Sequence, residues 1–452
     1  STPWRCCIPN GGRAQNMTIY TGWDVSIGGF DGTATVTNQA VPTDAVDFTS
    51  RVRALKVDQS VKVGAIGRTE TKVILDNTDG ALTPNGGGTY ATWAWFAKPL
   101  FVLARAGLSD PPALLDADVI VSGVRVKAPF FSGPIIGFDF VDDGFDSFVT
   151  LTAVDWLTFV GRWSVQVGQT VTDTSINTLD TLTETIELAK FGAASTSVFT
   201  LYSTAAGALP VDLSVTTAQG QFLGDTFETI AAAEGGIFYP AALNFRLAAG
   251  PVTYTTYLLF LTQRSMLAPP STSEVLPNFN GTGTVGSTEL PMRALELGFN
   301  DHELITQAEV SRTGGTAQFS YKDTASQTYG PRSVSLTNLP LTTDADALSH
   351  AEELTTRYDT TNFVPSSFEF TGSMIEGAND AALDGVKTLM HQASYAYGAL
   401  FKPTTVTWTG AGSTSNTATV TPMRLRLSAT PEDWTMRLHT LDASSNMGFI
   451  LD

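Results

Sequence analysis

Short runs of β-branched and aromatic residues, each closed by Gly, Asn, Asp, Pro or Ser, recur from one end of this chain to the other. That punctuation accommodates many short strands and few long helices, and strands spaced this regularly suggest a barrel or sandwich. Met17 to Tyr20, Thr33 to Thr37, Arg51 to Val57 and Lys72 to Leu75 read as strands. Asp76-Asn77-Thr78-Asp79-Gly80 closes the last of them as a turn, because these residue types tolerate left-handed backbone angles. Leu100 to Arg105 makes a further strand. Phe130 to Phe140 then runs into Asp142-Asp143-Gly144, a hairpin signal, and returns as Phe148 to Ala153.

From Asp173 the period changes. Ile176, Leu179, Leu182, Ile186 and Ala189 lie three or four apart, with Asp173 as N-cap and Gly192 as the stop, so a helix is expected. A second helix begins after Asp225, runs through Phe227, Ile230 and Ala231, and halts at Gly235-Gly236. Strand character resumes at Ile237 to Tyr239, Asn244 to Leu247 and Tyr254 to Leu261. Ala268 to Pro291 is rich in Pro, Ser, Thr, Gly and Asn and reads as a linker or long loop.

Beyond it, Leu304 to Arg312 and Thr316 to Lys322 flank Gly314-Gly315, a two-residue hairpin signal. A helix follows, with Asp344 and Asp346 in its first turn, Leu348, Ala351 and Leu354 on one face and Arg357 near its end. The remainder, Phe368 to Leu451, returns mostly to strands with a helix around Ala381 to Met390. No internal repeat is visible.

At about 150 residues per domain, 452 residues suit roughly two to four domains. The expected division is a β-barrel-like domain at 1–162, an α+β domain at 163–267, a linker or long loop at 268–296 and a β-rich domain at 297–452 with its helix near 344–357. The fold class is mainly β with an α+β insertion.

The 26 Lys and Arg stand against 44 Asp and Glu, a net charge of −18 that repels phosphate backbones. Sequence-specific nucleic-acid binding is therefore not expected. Charged residues are only 15% of the chain, below the ~25% of ordinary soluble domains, which suits sheets with much surface buried between subunits. Cys6 and Cys7 are adjacent, so a disulfide framework is impossible and a bridge between the neighbours would be strained. They read as reduced packing residues, a crosslink to another subunit being the alternative. No run of about 18 apolar residues occurs, the N-terminal residues lack the regions of a signal peptide, and Ser1 reads as the site of initiator Met removal; folding in a cytoplasm without a membrane anchor is expected.

Motifs for chemistry are weak. Gly281, Gly283 and Gly286 have dinucleotide-binding spacing, but their flanks, Pro277 to Asn280 and Ser287-Thr288, do not read as the strand and helix that motif needs. His302, His350, His391 and His439 stand singly, and Glu303 beside His302 has no second His a turn later, so zinc catalysis lacks its ligands. Thr78 stands where the third ligand of a calcium loop belongs in 76–80. No serine nucleophile elbow and no phosphate-loop Gly-Lys pair occur. Trp93, Trp95 and Phe96 could stack on sugar rings, although burial in a core or subunit contact is the stronger reading. No catalytic, cofactor-binding or metal-binding residue is nominated, and no cofactor is expected.

The run from Thr71 to Asn85, with Leu75-Asp76-Asn77-Thr78-Asp79-Gly80 at its centre, resembles an element of the minor tail and tail-tip hub proteins of long-tailed phages, especially those of actinobacteria. Phe131-Ser132-Gly133, then the Thr-x-x-Asp strand in Val149 to Trp156, then Ala233 to Tyr239 resemble further elements of that family in the family's order. Ala308 to Gly315, Asp323 to Ser326 with Tyr329 to Arg332, and Trp434 to Leu451 do so later. The resemblance covers about half of the chain and departs at 268–291 and 375–399.

What it implies is a tail-tip hub with two barrel-like domains flanking a smaller α+β domain, acting by assembly and not as an enzyme. Three copies would form a homotrimeric ring at the distal end of the virion's tail. Its neighbours would be the distal tail or tube ring proteins, the tape measure protein and other minor tail proteins, with DNA only passing through. A receptor- or glycan-binding tail protein is the alternative, with exposed Trp93 and Trp95 as its mark. A cell-wall-degrading enzyme, marked by convergent acids in a cleft, ranks third.

Overall fold

The computed structural model describes residues 19–28, 35–36, 45–61, 65–84, 87–96, 98–108, 125–142, 144, 146–164, 169–173, 199–203, 213–234, 236–241, 252–253, 256–261, 276–281, 289–298, 304–357, 363–376, 385–386, 389, 400, 402–410 and 414–442. The first stretch of chain gives β1 (Ile19–Ile27), β2 (Thr35–Val36), β3 (Val46–Asp47), β4 (Val52–Ser60), β5 (Ala65–Ile66), β6 (Arg68–Asp76), β7 (Pro99–Leu108), β8 (Arg125–Asp142), β9 (Ser147–Val154) and helix α1 (Trp156–Val160). Next come β10 (Gln169–Asp173), β11 (Phe199–Ser203), β12 (Leu213–Thr217), α2 (Leu223–Glu234), β13 (Ile237–Ala241), β14 (Val252–Thr253) and β15 (Thr256–Leu261). The last part holds β16 (Asn278–Asn280), β17 (Glu289–Pro291), β18 (Arg293–Gly298), β19 (Gln307–Arg312), β20 (Gln318–Tyr321), α3 (Asp323–Tyr329), β21 (Ser333–Leu339) and α4 (Asp344–Arg357). It closes with β22 (Val364–Thr371), α5 (Gly372–Glu376), β23 (Thr404–Thr409), β24 (Ser415–Ala429) and β25 (Trp434–Asp442).

Fourteen of these strands form one sheet, ordered β17-β16-β23-β24-β4-β6-β9-β8-β7-β1-β3, with β25, β22 and β18 continuing from β24. The expected pair of barrel-like domains is therefore corrected: among the described residues no barrel closes, and early and late strands share a sheet. Long strands explain the difference. Strand β8 pairs with β7 up to Pro134 and with β9 from Ile135 onward, and the change of partner falls beside a register shift between Ile135 and Gly137. A bulge of this kind bends a strand from one partner to the next instead of closing a ring. Strand β24 likewise serves β23, β25 and β4 along its length.

Burial follows sequence pattern. In β4 and β6 buried and exposed positions alternate, as in Arg68-Thr69-Glu70-Thr71-Lys72-Val73, so one face meets solvent. In β7, Leu100 to Ala104 are all buried, so that part of the strand is covered on both faces. An aromatic seam crosses the core: Phe279 meets Phe370 at 5.1 Å, Phe370 meets Trp434 at 6.0 Å, Trp434 meets Trp23 at 5.8 Å and Trp23 meets Phe130 at 4.6 Å.

The stretch expected as a linker contributes to this core. Strands β16 and β17 lie within it, pair in parallel with each other, and β16 also pairs with β23. Phe279 and Leu290 are fully buried, which propensity alone did not signal in a Gly- and Ser-rich segment. In the 163–267 region, α2 ends where expected but starts at Leu223, which puts Asp225 inside its first turn; it packs on β12 and β13, while β13 also takes β5 as a parallel partner from the early part of the chain. The helix expected at 173–192 lies outside the described residues beyond Asp173, as does the strand at 244–247.

The Gly314-Gly315 hairpin forms, but its last pair is Val310 with Gln318, so residues 311–317 make a longer connection than a two-residue turn. Strand β19 also pairs in parallel with β21, and α4 covers the resulting three-stranded sheet with Ala347, His350, Ala351 and Leu354 buried. Gly385, Val386 and Leu389 of the helix expected at 381–390 are helical. Among the described residues no helix is long and apolar enough to cross a membrane.

Trp434→Ala removes the middle link of the aromatic seam and should cost about 3–5 kcal/mol in denaturant unfolding. A loss below about 1 kcal/mol would show that the seam does not couple the early and late strands.

Candidate functional site

The residues carrying the family resemblance are wired into the frame. In the 76–80 turn, Gly80 sits at φ 70 and the backbone N–H of Gly80 donates to the Asn77 carbonyl. Asn77 is buried: its amide donates to Thr83 Oγ1 and Ser147 Oγ at 3.0 Å each, and its Oδ1 accepts from the Leu82 N–H at 2.6 Å. The acids of the turn are already paired. Arg53 holds Asp76 and Asp146, while Arg51 grips Asp79 at 2.8 and 2.6 Å. The Arg51 hydrogen bond keeps Asp79 down at about 2. A loop neutralised by arginines in this way works as a brace between β4, β6 and β9.

Gly133 shows the reason for the Phe-x-Gly element, since a Cβ there would land on the Val154 carbonyl. Asp155, at the end of the Thr-x-x-Asp strand, caps α1. It accepts from Thr158 N at 2.6 Å and Thr158 Oγ1 at 2.9 Å, and from the Thr69 N–H of β6 at 2.5 Å. Burial pushes Asp155 up to about 6 against the pull of those bonds. The 233–239 passage closes α2 through Gly236 N–H to the Ala231 carbonyl and sets Phe238 4.9 Å from Phe227. Each of these motif residues positions backbone.

The other candidates do not converge. Trp95 is buried and Trp93 half-buried, packed with Phe48, Tyr90 and Phe138, so the glycan-binding reading loses its mark, while Phe96 is 66% exposed. His350 is buried on α4 and His439 sits on β25; His302, His391, Glu303, Cys6 and Cys7 lie outside the described residues. Gly281 does follow a strand, β16, yet β17 is the next described element and Gly283 and Gly286 lie outside the described residues. Among the described residues no group of three His, Cys, Asp or Glu could hold a metal.

The sequence reading missed a surface groove of about 790 Å³ on the outer face of β9, β6, β4, β24, β25 and β22. Seven of the chain's 26 Lys and Arg line it, against the three carboxylates Asp58, Glu70 and Glu369. Asp58 accepts from Arg424 at 2.8 and 2.7 Å and from Arg426 at 3.3 Å. Burial pushes Asp58 up, but these guanidinium groups hold it below the usual carboxylate range. Beside the groove, burial and the charges of Arg426, Arg437 and Arg424 depress His439, which marks a positive local field. Alternation on each strand was legible, but which strands become neighbours was not.

No family model matches the chain, and no curated protein matches it. Solved structures do. A tail protein from Neisseria meningitidis MC58 superposes with a TM-score of 0.50 at 10% identity, covering 94% of this chain and 98% of its own. The chain has a tail-protein fold. The 43 kDa tail protein of prophage MuSo2 from Shewanella oneidensis gives 0.48 at 8% identity, covering 94% and 99%. Prophage tail protein gp18 from Listeria monocytogenes EGD-e gives 0.44 at 8%, covering 93% and 95%.

Within this tail-protein fold Asn77→Ala should cost about 2–3 kcal/mol by urea unfolding, because it strands the buried Leu82 N–H. Asp79→Ala, at a half-exposed ion pair, should cost under about 1 kcal/mol. Equal costs for the two would contradict the bracing role of Asn77.

The buried carboxyl gives a pH signature. An unfolded Asp titrates near ~3.9, so between that value and about 6 the folded chain binds the extra proton at Asp155. The stabilisation from Asp155 is complete below the unfolded value and is lost as pH rises through about 6. Asp79 runs oppositely, contributing above its unfolded value and losing that contribution as pH falls toward 2. Thermal midpoints of the wild type and Asp155→Asn, compared between about pH 7 and pH 5, should diverge, with the wild type gaining more on acidification. Parallel profiles would show that Asp155 does not titrate in that window.

Proposed function

We propose that this chain is a structural tail-tip hub of a long-tailed phage, of the kind that infects actinobacteria, acting by assembly and without turnover. The observation that carries the reading is whole-chain: the Neisseria tail protein is matched over 94% of this chain and 98% of its own length, so the likeness is not confined to one recurring module. The order of the resembling sequence elements supports it independently. In this reading three copies form a ring at the distal end of the tail, contacting tube or distal tail ring proteins, the tape measure protein and other tip proteins. Folding and assembly take place in the host cytoplasm before the particle is complete.

Two surface properties fit an assembling role. Phe319 and Tyr321 share the outer face of strand β20 and are 67% and 51% exposed, an aromatic pair suited to burial against a neighbour. A net charge of −18 would keep passing DNA from adhering to the ring.

Antibody labelling of intact particles in electron micrographs tests the reading. Label at the distal tip, together with a threefold ring in averaged images of that tip, is the expected result. Label on the capsid or along the tube, or none on any particle, would refute it.

A further inference from the structure

The basic groove is out of character for this chain, and its strand register sharpens the anomaly. Lys56 lies directly opposite Lys72 across β4 and β6, and Arg426 lies directly opposite Arg437 across β24 and β25. Like charges in directly opposed positions weaken a sheet. Part of this charge is balanced internally: Arg68 pairs with Glu228, Lys72 with Glu70, Arg437 with Glu296, and Arg424 with Asp58. Lys56 and Arg162 are exposed and have no carboxylate partner among the described residues. Hydroxyls of Ser60, Ser428 and Thr435 line the space between the cations.

We propose that this groove docks an acidic segment of a partner polypeptide, whose carboxylates take the unpaired positions at Lys56 and Arg162. Carboxylate fits better than nucleic-acid phosphate for two reasons. The net charge of −18 opposes the approach of a dense polyanion, whereas a short acidic peptide interacts within a Debye length of about 8 Å. The floor also interleaves Asp58, Glu70 and Glu369 among the cations, so the groove offers separated cationic positions and not a continuous track for a phosphate backbone. Arg424 already shows the side-on, two-bond grip on a carboxylate that an incoming acid would use. The assignment stands on the groove alone and adds a partner chemistry to the tail-hub reading.

The test uses the full chain and a fluorescein-labelled oligo-glutamate peptide, followed by anisotropy at low and physiological salt. Binding that weakens with salt and falls roughly tenfold or more in Lys56→Glu with Arg162→Glu is expected. Lys322→Glu, outside the groove, should leave it unchanged. Lys56→Glu turns the opposed Lys56–Lys72 pair into an attractive one, so the thermal midpoint of the double variant should hold or rise while binding falls. Lys56→Gln with Arg162→Gln serves as a second, milder pair and should weaken binding in the same direction. The proposal is overturned if the peptide does not bind at low salt, if the groove variants bind it as well as wild type does, or if an oligonucleotide of equal charge binds as tightly.

Discussion

Strand β4 pairs with β24 over Leu55–Ser60 and Arg424–Ala429, so residues more than 360 positions apart become neighbours in one ladder. Asp58 and Arg424 lock that ladder on its outer face. The seam from Phe279 through Phe370, Trp434 and Trp23 to Phe130 locks it from within. Closing so long a loop costs entropy that local turns do not repay, and burial of large aromatic rings is the kind of term that offsets it. The edge-to-face geometry at Trp23, Trp434 and Phe130 adds direction to that burial. The continuity of the sheet, and with it the groove on its outer face, depends on this joint.

Seen from the joint, the recurring motif residues share one task. Asn77, Gly133 and Asp155 each fix where one strand of the joined sheet leaves another, through buried hydrogen bonds or a close backbone approach. None of them faces the groove that gathers cations. The motif residues thus build the frame from within, while Asp58 and Arg424 serve both the ladder and the groove surface, as suits a protein that presents rigid sheet faces to neighbours.

Much of the local structure was legible. The Asp142-Asp143-Gly144 hairpin, the helix from Asp344 to Arg357, the helix before Gly235-Gly236 and the 76–80 turn follow from turn chemistry, caps and period, which are properties of adjacent residues. Long-range pairing misled. Residues 268–296 read as a linker because Gly, Ser, Thr and Pro dominate them, yet the described part contributes strands whose Phe279 and Leu290 fill the core. Two barrels were expected where, among the described residues, one branching sheet joins early and late strands, because a strand that bends at a bulge and changes partner has the same alternating pattern as one that stays in a ring. The candidate groove was illegible for the same reason: Lys56, Arg162 and Arg424 are far apart in sequence and meet only through sheet order.

By itself the sequence determined the alternation of faces, the turns and caps, the charge balance and the order of short elements, all set by interactions within a few residues. Tertiary structure alone decided which strands lie side by side, that early and late segments share a core, and that scattered cations on alternating positions converge on one exposed face. The physical reason is that strand partners are chosen by burial and register over the whole chain, and neither is encoded in any local window.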